Sequence, residues 1–215
     1  GAVLSGLRPH TPHQTAPTGE QSTMTPNPDQ PNPDQPTIVV LSGSPRLESM
    51  TRRVCDVVVP LIPAAGAAVE LIDLAELTLA MPGADATPDA TRLADTMRAA
   101  DAVVLATPEY HGSYSAAIKQ AIENLGHPSG LTGKPVALVG AAAGRIGAVK
   151  ALEHLRSVCA HLGSHVLPGA VSVANVGDAF AEDGSLKEDL TRDMMATLAS
   201  TLVDQARSAA EARAV

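Results

Sequence analysis

Leu41-Ser-Gly-Ser-Pro-Arg-Leu-Glu-Ser-Met-Thr51 follows the apolar run Thr37-Ile-Val-Val-Leu41 and precedes a segment with helical periodicity. A buried strand therefore runs into a hydroxyl-rich, glycine-containing loop at a helix start. Free backbone N–H groups and the positive end of the helix dipole converge there, which makes an anion site. Ser44, Ser49 and Thr51 add hydroxyl donors and Arg46 adds a charged fork. The guest that suits such a donor set is a phosphate monoester.

Outward from that loop, strand and helix signals alternate. Strands are predicted at 37–41, 68–72, 102–106 and 135–139, with a fifth over 165–167 and 170–173. Helices are predicted at 49–59, ending near Pro60 and Pro63, and at 91–100, 115–125, 148–162 and 186–211, with a short helical turn at 73–77. Continuous apolar strands separated by helices read as a parallel sheet covered on both faces. Right-handed crossovers and a phosphate loop after the first strand give a doubly wound α/β fold of five strands in the order 2-1-3-4-5. Ligands of such sheets lie beyond the C-terminal ends of strands 1 and 3.

Two further loops reach that edge. Thr107-Pro-Glu-Tyr-His-Gly-Ser-Tyr-Ser115 follows the third strand, and Gly140-Ala-Ala-Ala-Gly-Arg-Ile-Gly147 follows the fourth. Together the three loops suit a phosphate, a polar chain and a flat heterocycle. The chain has two tyrosines, one phenylalanine and no tryptophan, so Tyr110 and Tyr114 are conspicuous as partners for a planar ring.

Composition narrows the classes. With 15 Lys+Arg against 23 Asp+Glu the net charge is −8, and no basic block advertises nucleic-acid binding. No apolar run approaches the roughly 20 residues that span a bilayer. Cys55 and Cys159 stand alone in apolar-periodic segments and read as buried thiols of a reducing cytoplasm. His154, His161 and His165 lack metal-site company, so no metal is assigned. Residues 1–36 are rich in Pro, Thr, Gln and Asn and repeat Pro-Asn-Pro-Asp-Gln at 26–30 and 31–35. They read as a disordered tail before a single domain at 37–215, and as a poor secretion signal. Met24 within them is a candidate start, and His10 and His13 there carry no assigned role. A P-loop, a dinucleotide fingerprint with Gly-x-Gly-x-x-Gly spacing, a Gly-x-Ser-x-Gly elbow and a Tyr–Lys pair four apart are all missing.

Gly43-Ser-Pro-Arg-x-x-Ser49, Thr107-Pro-Glu-Tyr-His-Gly-Ser113 with Lys119 beyond, and Gly133-Lys-Pro-Val-Ala-Leu-Val139 followed by Gly144-Arg-Ile-Gly147 resemble the NAD(P)H-dependent FMN reductase family over about residues 37–173. The resemblance implies a flavodoxin-like fold with FMN as cofactor and NADPH or NADH as co-substrate. It assigns the FMN phosphate to Ser44, Arg46, Ser49 and Thr51, the last standing where relatives often carry Asn. It lays Pro108, Glu109, Tyr110, His111 and Gly112 along the isoalloxazine, largely through backbone groups. The third loop, with Gly140, Gly144 and Arg145, would close over the ring edge, and Arg145 is left between the NADPH phosphate and solvent. His111 and Ser115-Ala116 depart from the usual pattern. No protein acid or base is assigned, because the flavin does the chemistry and the protein orients and tunes it. The implied acceptor is a small molecule: free flavin, a quinone, an azo compound or an oxyanion such as chromate. The implied assembly is a homodimer or homotetramer. The competing class is a flavodoxin-like electron carrier without turnover.

Considered alone, Glu109 reads as a cap for the helix that follows its loop rather than as a catalytic group, and Lys119 as a partner across its own helix rather than a cofactor contact.

Overall fold

The computed structural model describes residues 35–214 together with Gly1, so the readings of residues 1–36, including the repeat and Met24, lie outside the described residues apart from their edges. The strands are β1 (Thr37–Ser42), β2 (Ala68–Asp73), β3 (Ala102–Pro108), β4 (Pro135–Ala141), β5 (His165–Val166) and β6 (Val171–Val173). The helices are α1 (Met50–Val58), α2 (Leu61–Ala64), α3 (Pro88–Ala99), α4 (Ala116–Glu123), α5 (Val149–His161) and α6 (Asp189–Ala214), with a 3-10 turn at Leu74–Glu76.

All strand pairings are parallel, in the order β2-β1-β3-β4-β5, and β6 also pairs with β4. The expected 2-1-3-4-5 order is therefore present, with its fifth position broken in two. Pro135 lies opposite His165 and Val139 opposite Val171, so the edge takes six steps where β4 takes four. The surplus falls at Pro168-Gly169. Proline offers no ladder N–H and Gly169 adopts a φ of +75°, so the strand bulges and resumes.

Alternation along the strands fills two cores. Ile38, Val40, Val104 and Val139 face α1, α2 and α6, whose Val54, Ile62 and Leu202 meet them. Val39, Leu41, Leu105 and Leu138 face α3, α4 and α5 through Leu93, Ile118 and Leu155. β3 and β4 are buried at every position, which is why they read as unbroken apolar runs. Several boundaries differ from the sequence reading: α3 starts at Pro88, capped by Thr87, rather than at 91, and β3 and β4 run on to Pro108 and Ala141. The chain turns once more after Pro60, as α2, with Pro63 inside that single turn. The last helix starts at Asp189 rather than at 186, because Leu186 is held in a bridge with Phe180.

No helix is long and apolar enough to cross a membrane among the described residues.

Candidate functional site: a cleft at the sheet's C-terminal edge

The phosphate-type loop is anchored by its glycine. The Gly43 amide donates to the Ala106 carbonyl at 2.8 Å, and a β-carbon there would stand 2.3 Å from Ile118 and 2.5 Å from that carbonyl oxygen. Only glycine lets the loop leave β1 so close to β3 and α4. Ser115 fastens the same point from the other side. It is the N-cap of α4, accepting from the Ile118 amide at 3.1 Å, while its hydroxyl donates to the Gly43 carbonyl. The Ser115 amide donates to Thr107 Oγ1 at 3.1 Å, and Thr107 in turn donates to the Pro108 carbonyl at 3.0 Å. Ser115, read only as a departure from a family pattern, is thus the knot joining the first and second loops.

Donors gather at the α1 N-terminus. Ser49 caps the helix, accepting from the Arg52 amide at 3.1 Å, and Ser44 accepts from the Arg46 amide at 3.2 Å. Neither hydroxyl donates a hydrogen bond among the described residues. Thr51 is only 2% exposed, lines the cleft and makes no side-chain hydrogen bond among the described residues. The Arg53 amide, bonded to the Ser49 carbonyl, is the first of the helical ladder, so the N–H groups of residues 47–51 have no partner among the described residues. Glu48 holds a φ of +51° to make the turn.

These groups open on a cleft of about 390 Å³, lined from the second loop by Pro108, Glu109 and Tyr110 and from the third by Ala142 and Ala143. Its size lies within the usual span for small-molecule sites. Arg46 does not reach inward alone: its guanidinium lies 5.7 Å from the centroid of the Tyr110 ring, bridging the lips of two loops. Tyr110 and Ser113 exchange backbone bonds of 2.9 and 3.1 Å around His111 and Gly112, whose φ values of +52° and +75° make a type I′-like turn. His111 is exposed at its tip, and Ser113 Oγ contacts His154 Nδ1 at 3.1 Å.

Glu109 caps a helix, but not the one that follows its loop. Its Oε2 accepts from the Ala151 amide at 3.0 Å, in the first turn of α5, and its own amide donates to the Ala141 carbonyl at 2.9 Å. Ala148 supplies no side-chain cap to α5, so Glu109 and Ser172, which accepts from the Ala148 amide at 2.7 Å, replace it. A carboxylate at that end also complements the helix dipole. Lys119 pairs with Glu123 along α4, away from the cleft.

The third loop begins later than its glycines suggest. Gly140 is a β4 residue opposite Thr107, where a β-carbon would meet that of Ala148 at 2.5 Å. Its bareness seats α5 against the sheet rather than lining the cleft. Gly144 and Arg145 border an outer hollow of about 420 Å³ that shares Glu109, Ala142 and Ala143 with the inner cleft and includes His111 and Gly112. A fourth loop also contributes: Val176, after β6, lines the inner cleft and donates its amide to the Ala142 carbonyl at 3.0 Å. The sequence signal for it was topological, since every parallel strand delivers its loop to this edge.

The nucleophiles lie elsewhere. Burial pushes the Cys55 thiol up to about 12, with Asp56 and Asp73 adding to the effect, and burial likewise raises Cys159 to about 12. Desolvation raises the Tyr114 phenol. Among the described residues no group of three or more His, Cys, Asp or Glu is arranged to hold a metal.

A parallel sheet in the order β2-β1-β3-β4-β5, with a cleft between the loops that follow β1, β3 and β4, is the flavodoxin-like fold. The family model for NADPH-dependent FMN reductase matches residues 36–178, and the chain belongs to that family. An NAD(P)H-dependent FMN reductase of Pseudomonas aeruginosa is 33% identical over 164 residues, covering 74% of this chain and 88% of the relative. An NADPH azoreductase of a Bacillus species is 34% identical, over 71% and 83%. The flavoenzyme NAD(P)H:(acceptor) oxidoreductase FerB of Paracoccus denitrificans superposes with a TM-score of 0.67 at 28% identity, over 80% of this chain and 98% of that one. A flavodoxin from an archaeon superposes at 0.58 with 14% identity, over 80% and 99%, a likeness of fold alone. The chain is thus an FMN-dependent NAD(P)H oxidoreductase.

Proposed function

We propose that the inner cleft holds FMN with its phosphate at the α1 N-terminus, and that the enzyme reduces a quinone, an azo compound, free flavin or an oxyanion such as chromate. The observation that carries this is the donor set: three hydroxyls and the N–H groups of residues 47–51, which donate to nothing among the described residues, all at one end of a cleft. That set matches the phosphate of FMN in charge and in number of donors.

In this reading Ser44, Ser49 and Thr51 bind the phosphate and Arg46 adds charge from the lip. Pro108, Glu109 and Tyr110 wall the isoalloxazine in the inner cleft, and His111, Gly112 and Gly144 border the ring's outer edge from the adjoining hollow. FMN held by these residues would supply the hydride and electron-transfer chemistry between NAD(P)H and the acceptor. The protein's work is orientation. Glu109 is tied to α5 and Ser115 to the first loop, so the walls on both sides of the ring are braced by hydrogen bonds rather than left to loop motion.

The names of relatives support the acceptor classes: an azoreductase in a Bacillus species and a 2-hydroxy-1,4-benzoquinone reductase in a Burkholderia species. We place the protein in the cytoplasm, as one domain over 37–215, and as a homodimer or homotetramer. Exposed Leu47 and Ile146 at the cleft rim favour assembly; light scattering of the purified protein would read a monomer mass if that part is wrong.

The test is the visible spectrum of purified protein followed by anaerobic NADPH. Two bands of oxidised flavin that bleach on addition support the reading. No flavin retained, or no bleaching beyond the protein-free rate, would refute it.

A further inference from the structure

Arg145 and Lys150 are exceptional among the cations whose side chains the structure describes. The others pair with carboxylates, donate to backbone carbonyls or lie over aromatic rings. These two take part in no hydrogen bond, ion pair or ring contact among the described residues. Arg145 lines the outer hollow from the loop between β4 and α5, and Lys150 stands behind its far wall. Lys150 rises from the first turn of α5, its stem 3.5 Å from where a β-carbon on Gly112 would stand, at the tip of the hairpin that forms the opposite wall.

The surroundings leave this positive charge uncompensated. His111 faces the same hollow from the hairpin, and Glu109, the one carboxylate in its lining, is engaged with the α5 amide of Ala151. In a chain of net charge −8, an unpaired Arg145 in the hollow and an unpaired Lys150 beside its Gly112 wall create a local positive potential that concentrates anions. The approach is open: nothing lies within 4 Å of the position a Gly144 side chain would take. An arginine fork beside a lysine point charge suits a phosphate or another oxyanion.

We propose that Arg145 and Lys150 bind an anionic group of the second ligand and so select for it. That group is the phosphate monoester that distinguishes NADPH from NADH, or an oxyanion carried by the acceptor. The proposal rests on the inner cleft holding FMN, with the outer hollow left for the molecule that exchanges electrons with it.

The test uses the full chain as purified and the variants Arg145→Gln, Lys150→Gln and the double variant, with Arg145→Lys as the charge-keeping control. Titration calorimetry compares adenosine 2′,5′-bisphosphate with adenosine 5′-monophosphate, both inert to redox. Steady-state kinetics compare the KM of NADPH with that of NADH, and the KM of a sulfonated azo dye with that of an uncharged one. Loss of each charge is expected to weaken the charged member of a pair about tenfold, and the uncharged or less charged member less than twofold. A loss confined to the bisphosphate and NADPH places the anion on the dinucleotide, and a loss confined to the sulfonated dye places it on the acceptor. Arg145→Lys should recover most of the difference. If the glutamine variants shift both members of every pair equally, or shift none, the proposal is overturned. FMN retention is read separately from the visible spectrum, and the bisphosphate titration needs no flavin. A protein that binds no FMN would therefore refute the cofactor assignment while the cation pair is still tested.

Discussion

Replacing Ser115 by alanine removes one oxygen on which two chain segments depend. Its hydroxyl receives the Ile118 amide and donates to the Gly43 carbonyl, and the residue is 1% exposed, so water cannot take its place without rearrangement. Loss of the helix cap costs about 1 kcal/mol. A buried carbonyl left without its donor costs roughly 1–3 kcal/mol more. The expected destabilisation is therefore about 2–4 kcal/mol, a fall in Tm of roughly 4–16 °C for a domain of this size. The assay is reversible thermal or urea unfolding of FMN-free protein, with FMN titration by fluorescence quenching alongside. The freed loop carries Ser44 and Ser49, so FMN should also bind more weakly than to the parent. A destabilisation below about 0.5 kcal/mol, the range of an ordinary surface change, would refute the reasoning that this oxygen ties the phosphate loop to α4.

Glu109→Gln keeps an oxygen for the Ala151 amide but removes charge from the α5 N-terminus, and should lower stability by about 0.3–1 kcal/mol in urea titrations, with Glu109→Ala costing more. Gly140→Ala puts a β-carbon 2.5 Å from that of Ala148, which is fixed to backbone; unfolding measurements should show a loss of about 1–3 kcal/mol. The two thiols should stay silent to a thiol-exchange reagent at pH 8 until the protein unfolds. Their folded values near 12 lie above the ordinary 9.0, so the stability they contribute is complete below pH 9 and is lost as pH rises beyond it. At pH 10 each should subtract about 1 kcal/mol, read as a fall in the urea midpoint that Cys55→Ser and Cys159→Ser variants do not repeat.

β1, β3 and β4 were legible because they are buried on both faces, which leaves apolar runs with no competing period. The phosphate loop was legible because its donors are contiguous in sequence, from Ser44 to Thr51. What escaped is non-local. Glu109 reaches a helix 42 residues on, and Val176 enters the cleft only because β6 joins the sheet beside β4. Nothing within either local segment encodes those pairings. The split of β5 from β6 had a local sign in Pro168-Gly169, but two short apolar runs on either side read equally well as one strand. Gly140 shows the opposite failure: a glycine beside a loop looks like ligand space, yet here it makes room for α5.

The group proposed for the α1 N-terminus is a phosphate. Riboflavin differs from FMN only in lacking that phosphate, so the ratio of their dissociation constants, titrated by fluorescence quenching on flavin-free protein, reads the claim directly. Two or more charge-assisted hydrogen bonds predict FMN at least about 100-fold tighter than riboflavin, with Thr51→Val and Ser49→Ala narrowing the gap. Equal affinities for the two flavins would contradict the account.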